Sequence, residues 1–245
     1  MERITSLKVK IFADGADLDG MLKMYANPLI KGFTTNPTLM RAAGVTRYGD
    51  FASKVLEAIP DRPVSFEVFA DEPVEMREQA LQIASWGPNV NVKIPVTTTS
   101  GEFLGPLIKD LSDSGVMVNV TAVFTLRQVE AIAKALNPET PAIVSVFAGR
   151  VADSGIDPLP LMTEAANILK SCPKADLLWA SPRELLNIFH AEQAGCGIIT
   201  VTNDLLKKLV LIDKDQDEYS LETVKMFYND ARNAGYSIKL SEVSD

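Results

Sequence analysis

Val90-Asn91-Val92-Lys93-Ile94-Pro95-Val96 is a β-branched run of the length of one strand, apolar enough to be buried. Helical segments bracket it near 73–86 and 101–114. The alternation continues in both directions. Strand-like runs fall near 9–13, 30–35, 63–69, 116–121, 141–147, 175–180 and 197–201. Helical stretches fall near 15–26, 37–43, 48–59, 125–136, 158–170, 182–194 and 203–211. Eight strands, each followed by helix, predict an α/β fold, a single (β/α)8 TIM barrel over about residues 7–211. The acidic stretch Asp213-Lys214-Asp215-Gln216-Asp217-Glu218 connects it to an additional C-terminal helix near 218–233, and residues 1–245 are expected to form one domain. An open doubly wound sheet is the alternative, but no Gly-x-Gly-x-x-Gly follows the first strand.

Lys93 interrupts an otherwise apolar strand. Burial disfavours the ammonium form and lowers a lysine pKa from about 10.4 toward neutrality, where the free amine can attack a carbonyl. The alternative is a structural lysine that snorkels or pairs with a buried carboxylate.

Bulk properties narrow the chemistry. With 245 residues, 47% hydrophobic and 23% charged, the chain can bury one large core. The net charge of −8 argues against non-specific nucleic-acid binding. No run of 18 apolar residues suggests a membrane span, and the first residues lack the apolar core of a signal peptide. Two cysteines, Cys172 and Cys196, form no disulfide framework, so a reducing cytoplasm is expected. His190 is the only histidine, which excludes a catalytic zinc held by several imidazoles. Carbonyl chemistry would rest on lysine, carboxylates and hydroxyls, with no metal or cofactor.

Side chains alternate along a strand, so one parity points into a barrel. Lys93 shares its parity with Asn91, Glu67 with Ser65 and Phe69, Asn119 with Thr121, and Ser145 with Phe147. The first strand ends at Asp14 and the second at Asn36. Any one of these could be an ordinary polar residue at a strand end. Together they collect polar groups from several strands around one lysine, where barrel enzymes place their catalytic residues. Three strand-to-helix junctions add an anion argument. Ser181-Pro182-Arg183-Glu184 reads as an N-cap, a first-turn proline and a capping-box glutamate, with Arg183 as a cation. Arg150, after Ala148-Gly149, supplies a second cation, and Thr35-Asn36-Pro37-Thr38 reads as a further cap.

These residues sit in segments that resemble the transaldolase family. The matching stretches are Phe12-Ala13-Asp14, Gly32-Phe33-Thr34-Thr35-Asn36-Pro37-Thr38-Leu39, Val92-Lys93-Ile94-Pro95-Val96-Thr97, Asn119-Val120-Thr121-Ala122-Val123-Phe124 and Val146-Phe147-Ala148-Gly149-Arg150-Val151. The chain looks closer to the shorter members, which include fructose-6-phosphate aldolases. The resemblance implies that Lys93 forms a Schiff base with the C2 ketone of a ketose phosphate. Glu67 and Thr121 would hold the water that leaves and returns. Asp14 would take the C4 hydroxyl proton. Asn36, Asn119 and Ser145 would bind the sugar, and Arg150, Ser181 and Arg183 the phosphate. The implied activity is transfer of a dihydroxyacetone unit from sedoheptulose 7-phosphate or fructose 6-phosphate to an aldose phosphate, in the pentose phosphate pathway. The implied partners are small-molecule sugar phosphates, and the short members suggest a homo-oligomer.

Two positions bear on the branch of the family. Where the aldolases look to have Gln and Tyr, this chain has Glu67 and Phe147. Phe147 cannot donate a hydrogen bond to water, which favours transfer over simple cleavage. Pro182 replaces the usual aromatic between Ser181 and Arg183, so a sugar with another anionic end, such as a sulfonate, is an alternative donor. Cleavage of the fructose-6-phosphate aldolase type, a non-catalytic sugar-phosphate-binding barrel, and a pyridoxal phosphate lysine at Lys93 complete the alternatives.

Overall fold

A computed structural model describes residues 2–238. Eight parallel strands close on themselves in sequence order: β1 (Lys10–Asp14), β2 (Ile30–Thr34), β3 (Val64–Glu67), β4 (Val90–Pro95), β5 (Val118–Val123), β6 (Ala142–Val146), β7 (Ala175–Trp179) and β8 (Ile198–Thr202). β8 closes the barrel on β1 in the register Lys10↔Ile198 to Asp14↔Thr202. The helices are α1 (Glu2–Thr5), α2 (Leu18–Tyr25), α3 (Pro37–Ala42), α4 (Tyr48–Ala58), α5 (Pro73–Ala84), α6 (Gly105–Asp113), α7 (Leu126–Ala135), α8 (Ala148–Asp153), α9 (Pro158–Leu169), α10 (Leu186–Ala194), α11 (Asn203–Leu206) and α12 (Gln216–Asn233). The expected (β/α)8 barrel with a further helix is therefore the observed architecture. Residues 2–208 form one compact unit, and the residues from Leu209 onward a second. Within the second, Asp215 caps α12 by accepting the Glu218 N–H at 2.9 Å, and no residue of α12 is buried. Among the described residues no helix is long and apolar enough to cross a membrane.

The barrel interior is divided. Phe12, Ile143, Leu178, Ala180 and Ile198 form one buried apolar cluster, with Phe147 packed against it. These come from β1, β6, β7, the residue that follows β7, and β8. The opposite side, from β3 to β6, is polar but satisfied. Ser145 donates to Asn119 Oδ1 at 2.7 Å, and Asn119 Nδ2 donates to Ser65 Oγ at 3.1 Å. A buried hydrogen-bonded chain of this kind costs little, because each group keeps a partner. Gly32, paired with Phe12, admits the aromatic ring: a Cβ there would lie 2.5 Å from Phe12 Cζ.

Three local expectations change. The short helices α1 and α8 were not foreseen. Helix 182–194 begins four residues late, at Leu186, and Ser181 is not its cap. Ser181 takes a left-handed φ of 57°, and Asn187 Oδ1 accepts the N–H groups of Arg183 at 2.8 Å and Glu184 at 3.2 Å. A side chain from inside the helix thus performs the capping that the local pattern credited to Ser181.

Replacing Gly32 with Ala is expected to destabilise the protein by about 1–3 kcal/mol, because Phe12 is buried and has nowhere to move. Urea denaturation of Gly32→Ala against wild type checks this, and equal midpoints would contradict the interior packing described.

Candidate active site

The C-terminal ends of the strands surround a cavity of about 440 Å³ lined by groups from all eight strands or the loops that follow them. Lys93 lies at its floor and is 7% exposed. β3 and β4 are in register Glu67↔Lys93, so the two side chains stand side by side. Lys93 Nζ is 3.0 Å from Glu67 Oε2 and donates to the Thr35 carbonyl at 2.8 Å. The Lys93 nitrogen therefore lies between a carboxylate and a backbone oxygen.

Asp14 ends β1 on the other side of the cavity. Burial pushes its carboxyl above the ordinary value near 3.8, and the Lys93 charge and a hydrogen bond from Thr34 offset part of that rise. Thr34 Oγ1 donates to Asp14 Oδ1 at 2.8 Å. The Thr34 and Thr200 hydroxyls are themselves hydrogen-bonded. When Thr34 donates to Asp14, its single proton is committed, so Thr200 must donate to Thr34. Asp14 is thus a carboxyl whose pKa is raised and whose Oδ1 is engaged, suited to exchange a proton with a bound hydroxyl.

Thr121 sits near the end of β5. The next residue, Ala122, has a left-handed φ of 60°, and the β5–β6 register shifts between Val120 and Val123. This bulge interrupts the pairing beside the cavity before it resumes at Val123↔Val146, and bulges commonly re-aim side chains. Asn36 caps α3 through its Oδ1, which accepts the Leu39 N–H at 2.9 Å. Asn36, Asn119, Thr121 and Ser145 all line the cavity with Lys93, Glu67 and Asp14.

Arg150, Ser181 and Arg183 line one side of the same cavity. Arg150 lies over the Phe147 ring, 5.1 Å from its centroid. Gly149 joins the two loops that carry these groups. Its N–H donates to the Ala180 carbonyl at 3.2 Å, and a Cβ there would overlap the Ser181 carbonyl oxygen. Arg183 also forks onto Asp153: Nε lies 2.9 and 3.1 Å from the two carboxylate oxygens, and Nη2 pairs with Oδ2. That guanidinium holds the Asp153 carboxyl below the usual carboxylate range.

All eleven residues singled out in the sequence line this one cavity. Thr34, Thr200 and Asp153 were missed. Thr34 and Thr200 share the inward parity of Asp14 on the strands paired with β1, so the same alternation rule would have found them. Asp153 lies on α8, which no periodicity announced, and no local signal links it to Arg183.

A family model described as transaldolase/fructose-6-phosphate aldolase matches residues 11–241. A probable transaldolase of Dehalococcoides mccartyi is 36% identical over 203 residues, covering 82% of this chain and 90% of that protein. Probable transaldolase 2 of Listeria monocytogenes is 34% identical over 202 residues, covering 82% and 88%. Among solved structures, one described as a putative phosphonomutase of Burkholderia cenocepacia superposes with a TM-score of 0.57 at 13% identity, covering 86% of this chain and 96% of that one. That likeness is one of fold.

Two outcomes follow from the geometry. Gly149→Ala is expected to push the Arg150 and Ser181–Arg183 loops apart. Anion binding in the cavity, followed by inorganic phosphate titration, should weaken by about tenfold or more, the range for misplacing a positioned group. For Asp14, a folded-state pKa above 3.8 means the native state holds more protons than the unfolded chain, so this group's contribution to stability declines as pH rises through that raised value. Asp14→Asn should be more stable than wild type at pH 7, with the difference shrinking as pH falls toward 4. Denaturation curves across that range test the sign.

Proposed function

The chain belongs to the transaldolase/fructose-6-phosphate aldolase family, and on that premise we propose that it is a class I transaldolase working through a Schiff base on Lys93. It is an enzyme of that family's transferase type. The finer reading, a dihydroxyacetone unit moved from a ketose phosphate to an aldose phosphate in the pentose phosphate pathway, rests above all on one observation. A buried lysine stands 3.0 Å from one carboxylate and faces a second whose pKa is raised.

Lys93 gives its ammonium proton to Glu67 and attacks the C2 ketone of the donor. Glu67 returns that proton to the C2 oxygen, then relays a second one from the nitrogen, and the oxygen departs as water, with Thr121 holding the water. A protonated Schiff base remains. Asp14 takes the proton of the C4 hydroxyl, the C3–C4 bond breaks, and the aldose phosphate leaves. The electron pair stays on C3 as an enamine conjugated to the Lys93 nitrogen. An incoming aldehyde accepts that pair, Asp14 returns its proton to the new hydroxyl, and water releases the new ketose. Asn36, Asn119 and Ser145 hold the hydroxyls of the unit kept on the enzyme. Phe147 has no hydroxyl with which to steer a proton to the waiting carbanion, which favours transfer over release of free dihydroxyacetone. Assembly into a homo-oligomer belongs to the same reading.

A second reading concerns the anionic end of the donor. A phosphate ester carries about −1.5 to −2 at neutral pH, whereas a sulfonate carries one charge. Asp153 neutralises part of Arg183, which favours the singly charged end.

Borohydride trapping with fructose 6-phosphate, with and without erythrose 4-phosphate, tests the main reading. A dihydroxyacetone adduct on Lys93 that discharges when the acceptor is added is expected; an unmodified Lys93 with every ketose phosphate tried would overturn it. Lys93→Ala should lose turnover by on the order of 10⁴-fold or more while still binding the sugar phosphate. Asp153→Asn should raise kcat/KM for phosphate-ended donors about 2- to 5-fold relative to sulfonate-ended ones.

A further inference from the structure

In a parallel pair, the N–H groups of one strand alternate with those of its neighbour in donating to the carbonyls opposite. β2 and β3 follow this pattern at first. The Phe33 N–H donates to the Pro63 carbonyl at 2.8 Å, and the Thr35 N–H donates to the Ser65 carbonyl at 3.2 Å. The register Thr34↔Ser65 makes the next rung Glu67 N–H to the Thr35 carbonyl. That rung is not made. The Glu67 N–H donates instead to the Tyr48 phenol oxygen at 2.7 Å, and the same phenol donates to the Glu67 carbonyl at 3.0 Å. The Thr35 carbonyl, released from the ladder, accepts Lys93 Nζ at 2.8 Å.

We propose that Tyr48 is a positioning residue for the lysine: by taking both backbone groups of Glu67, it keeps the β2–β3 ladder open and leaves the Thr35 carbonyl to Lys93. The inference rests on the reading of Lys93 as the nucleophile.

Several features fit this role. Tyr48 opens α4, after the chain has left β2 and passed through α3, and its phenol meets the backbone groups of Glu67 that a longer β2 would face. A ring hydroxyl donates one hydrogen bond and accepts others, so one group satisfies both an N–H and a carbonyl. Burial pushes the phenol well above its ordinary range, which keeps the donating proton in place. Aromatic neighbours fix the ring: Trp86 at 5.4 Å and Phe66 at 6.1 Å are edge-on, and Phe69 lies tilted at 4.6 Å. The hydroxyl therefore has little freedom to abandon Glu67.

The consequence reaches the chemistry. The Thr35 carbonyl and Glu67 Oε2 lie 2.8 and 3.0 Å from the same nitrogen, which sets the direction of its remaining hydrogen. Once the nitrogen is a protonated Schiff base it has a single N–H, and the Thr35 carbonyl is the acceptor placed to receive it. Fixing the Glu67 backbone also fixes the point from which its carboxylate reaches the leaving water.

Tyr48→Phe removes both bonds and lets the Glu67 N–H close onto Thr35, so the variant is expected to fold with a complete ladder. The rate of borohydride-trappable adduct formation, and kcat, should fall about 10- to 100-fold, the range expected for a shift of about 1 Å at a reacting group. KM for the donor should change less than threefold. Trp86→Leu is the control, because it loosens the same aromatic packing and spares the phenol; it should lose stability while its rate falls much less than that of Tyr48→Phe. Equal rates for Tyr48→Phe and wild type, or equal losses in both variants, would overturn the proposal. So would a wild-type crystal structure in which Glu67 N bonds to Thr35 O in place of the phenol, a test that needs no variant. A wild type that forms no adduct at Lys93 would instead remove the Schiff-base reading itself, which separates the two failures.

Discussion

An ammonium buried in the interior of a parallel barrel must be compensated, and the arrangement around Lys93 follows from that requirement. Leaving such a charge without a partner costs several kcal/mol. Two partners meet it, the Glu67 carboxylate at 3.0 Å and the Thr35 carbonyl at 2.8 Å. The first requires β3 and β4 to stand in the register Glu67↔Lys93. The second is a backbone oxygen left free by the β2–β3 ladder, whose missing donor, the Glu67 N–H, is held by Tyr48. One buried charge thus reaches into strand register, into ladder termination and into the placement of α4.

The same cavity holds two electrostatic regimes. Around Lys93 the charges are buried and paired, so small displacements carry large energies. At the opposite wall Arg150 and Arg183 stand nearer water, one over an aromatic ring and the other forked onto Asp153. Interactions there are screened and suit reversible capture of an anion. The donor proposed above, a ketose with one carbonyl and one anionic terminus, would match this division. Gly149 links the regimes mechanically, because only a residue without a side chain allows α8 to lie against the Ser181 backbone.

The strands were legible because each is a short β-branched run, and inward parity made most of the cavity legible too. The rule that picked out Glu67, Lys93, Asn119 and Ser145 applies equally to Thr34 and Thr200, which were overlooked because a threonine in a strand is ordinary. Ser181-Pro182-Arg183-Glu184 misled for a different reason. It satisfies every local criterion of a capping box, yet Ser181 adopts φ 57° where Gly149 packs against it, and Asn187 takes over the cap. Local hydrogen-bonding preference lost to a tertiary contact 32 positions away in the chain.

The sequence by itself determined the period of the elements, the parity of the polar residues and the chemical character of a lysine among valines, since each depends on residues a few positions apart. Only the tertiary structure decided which carbonyl Lys93 rests on, which carboxylate tempers Arg183 and which side chain replaces the missing rung beside Glu67. Those partners are 58, 30 and 19 positions apart. No local pattern encodes such pairings, because they arise when closure of the barrel brings separate strand ends to one rim and each buried polar group must find a partner there.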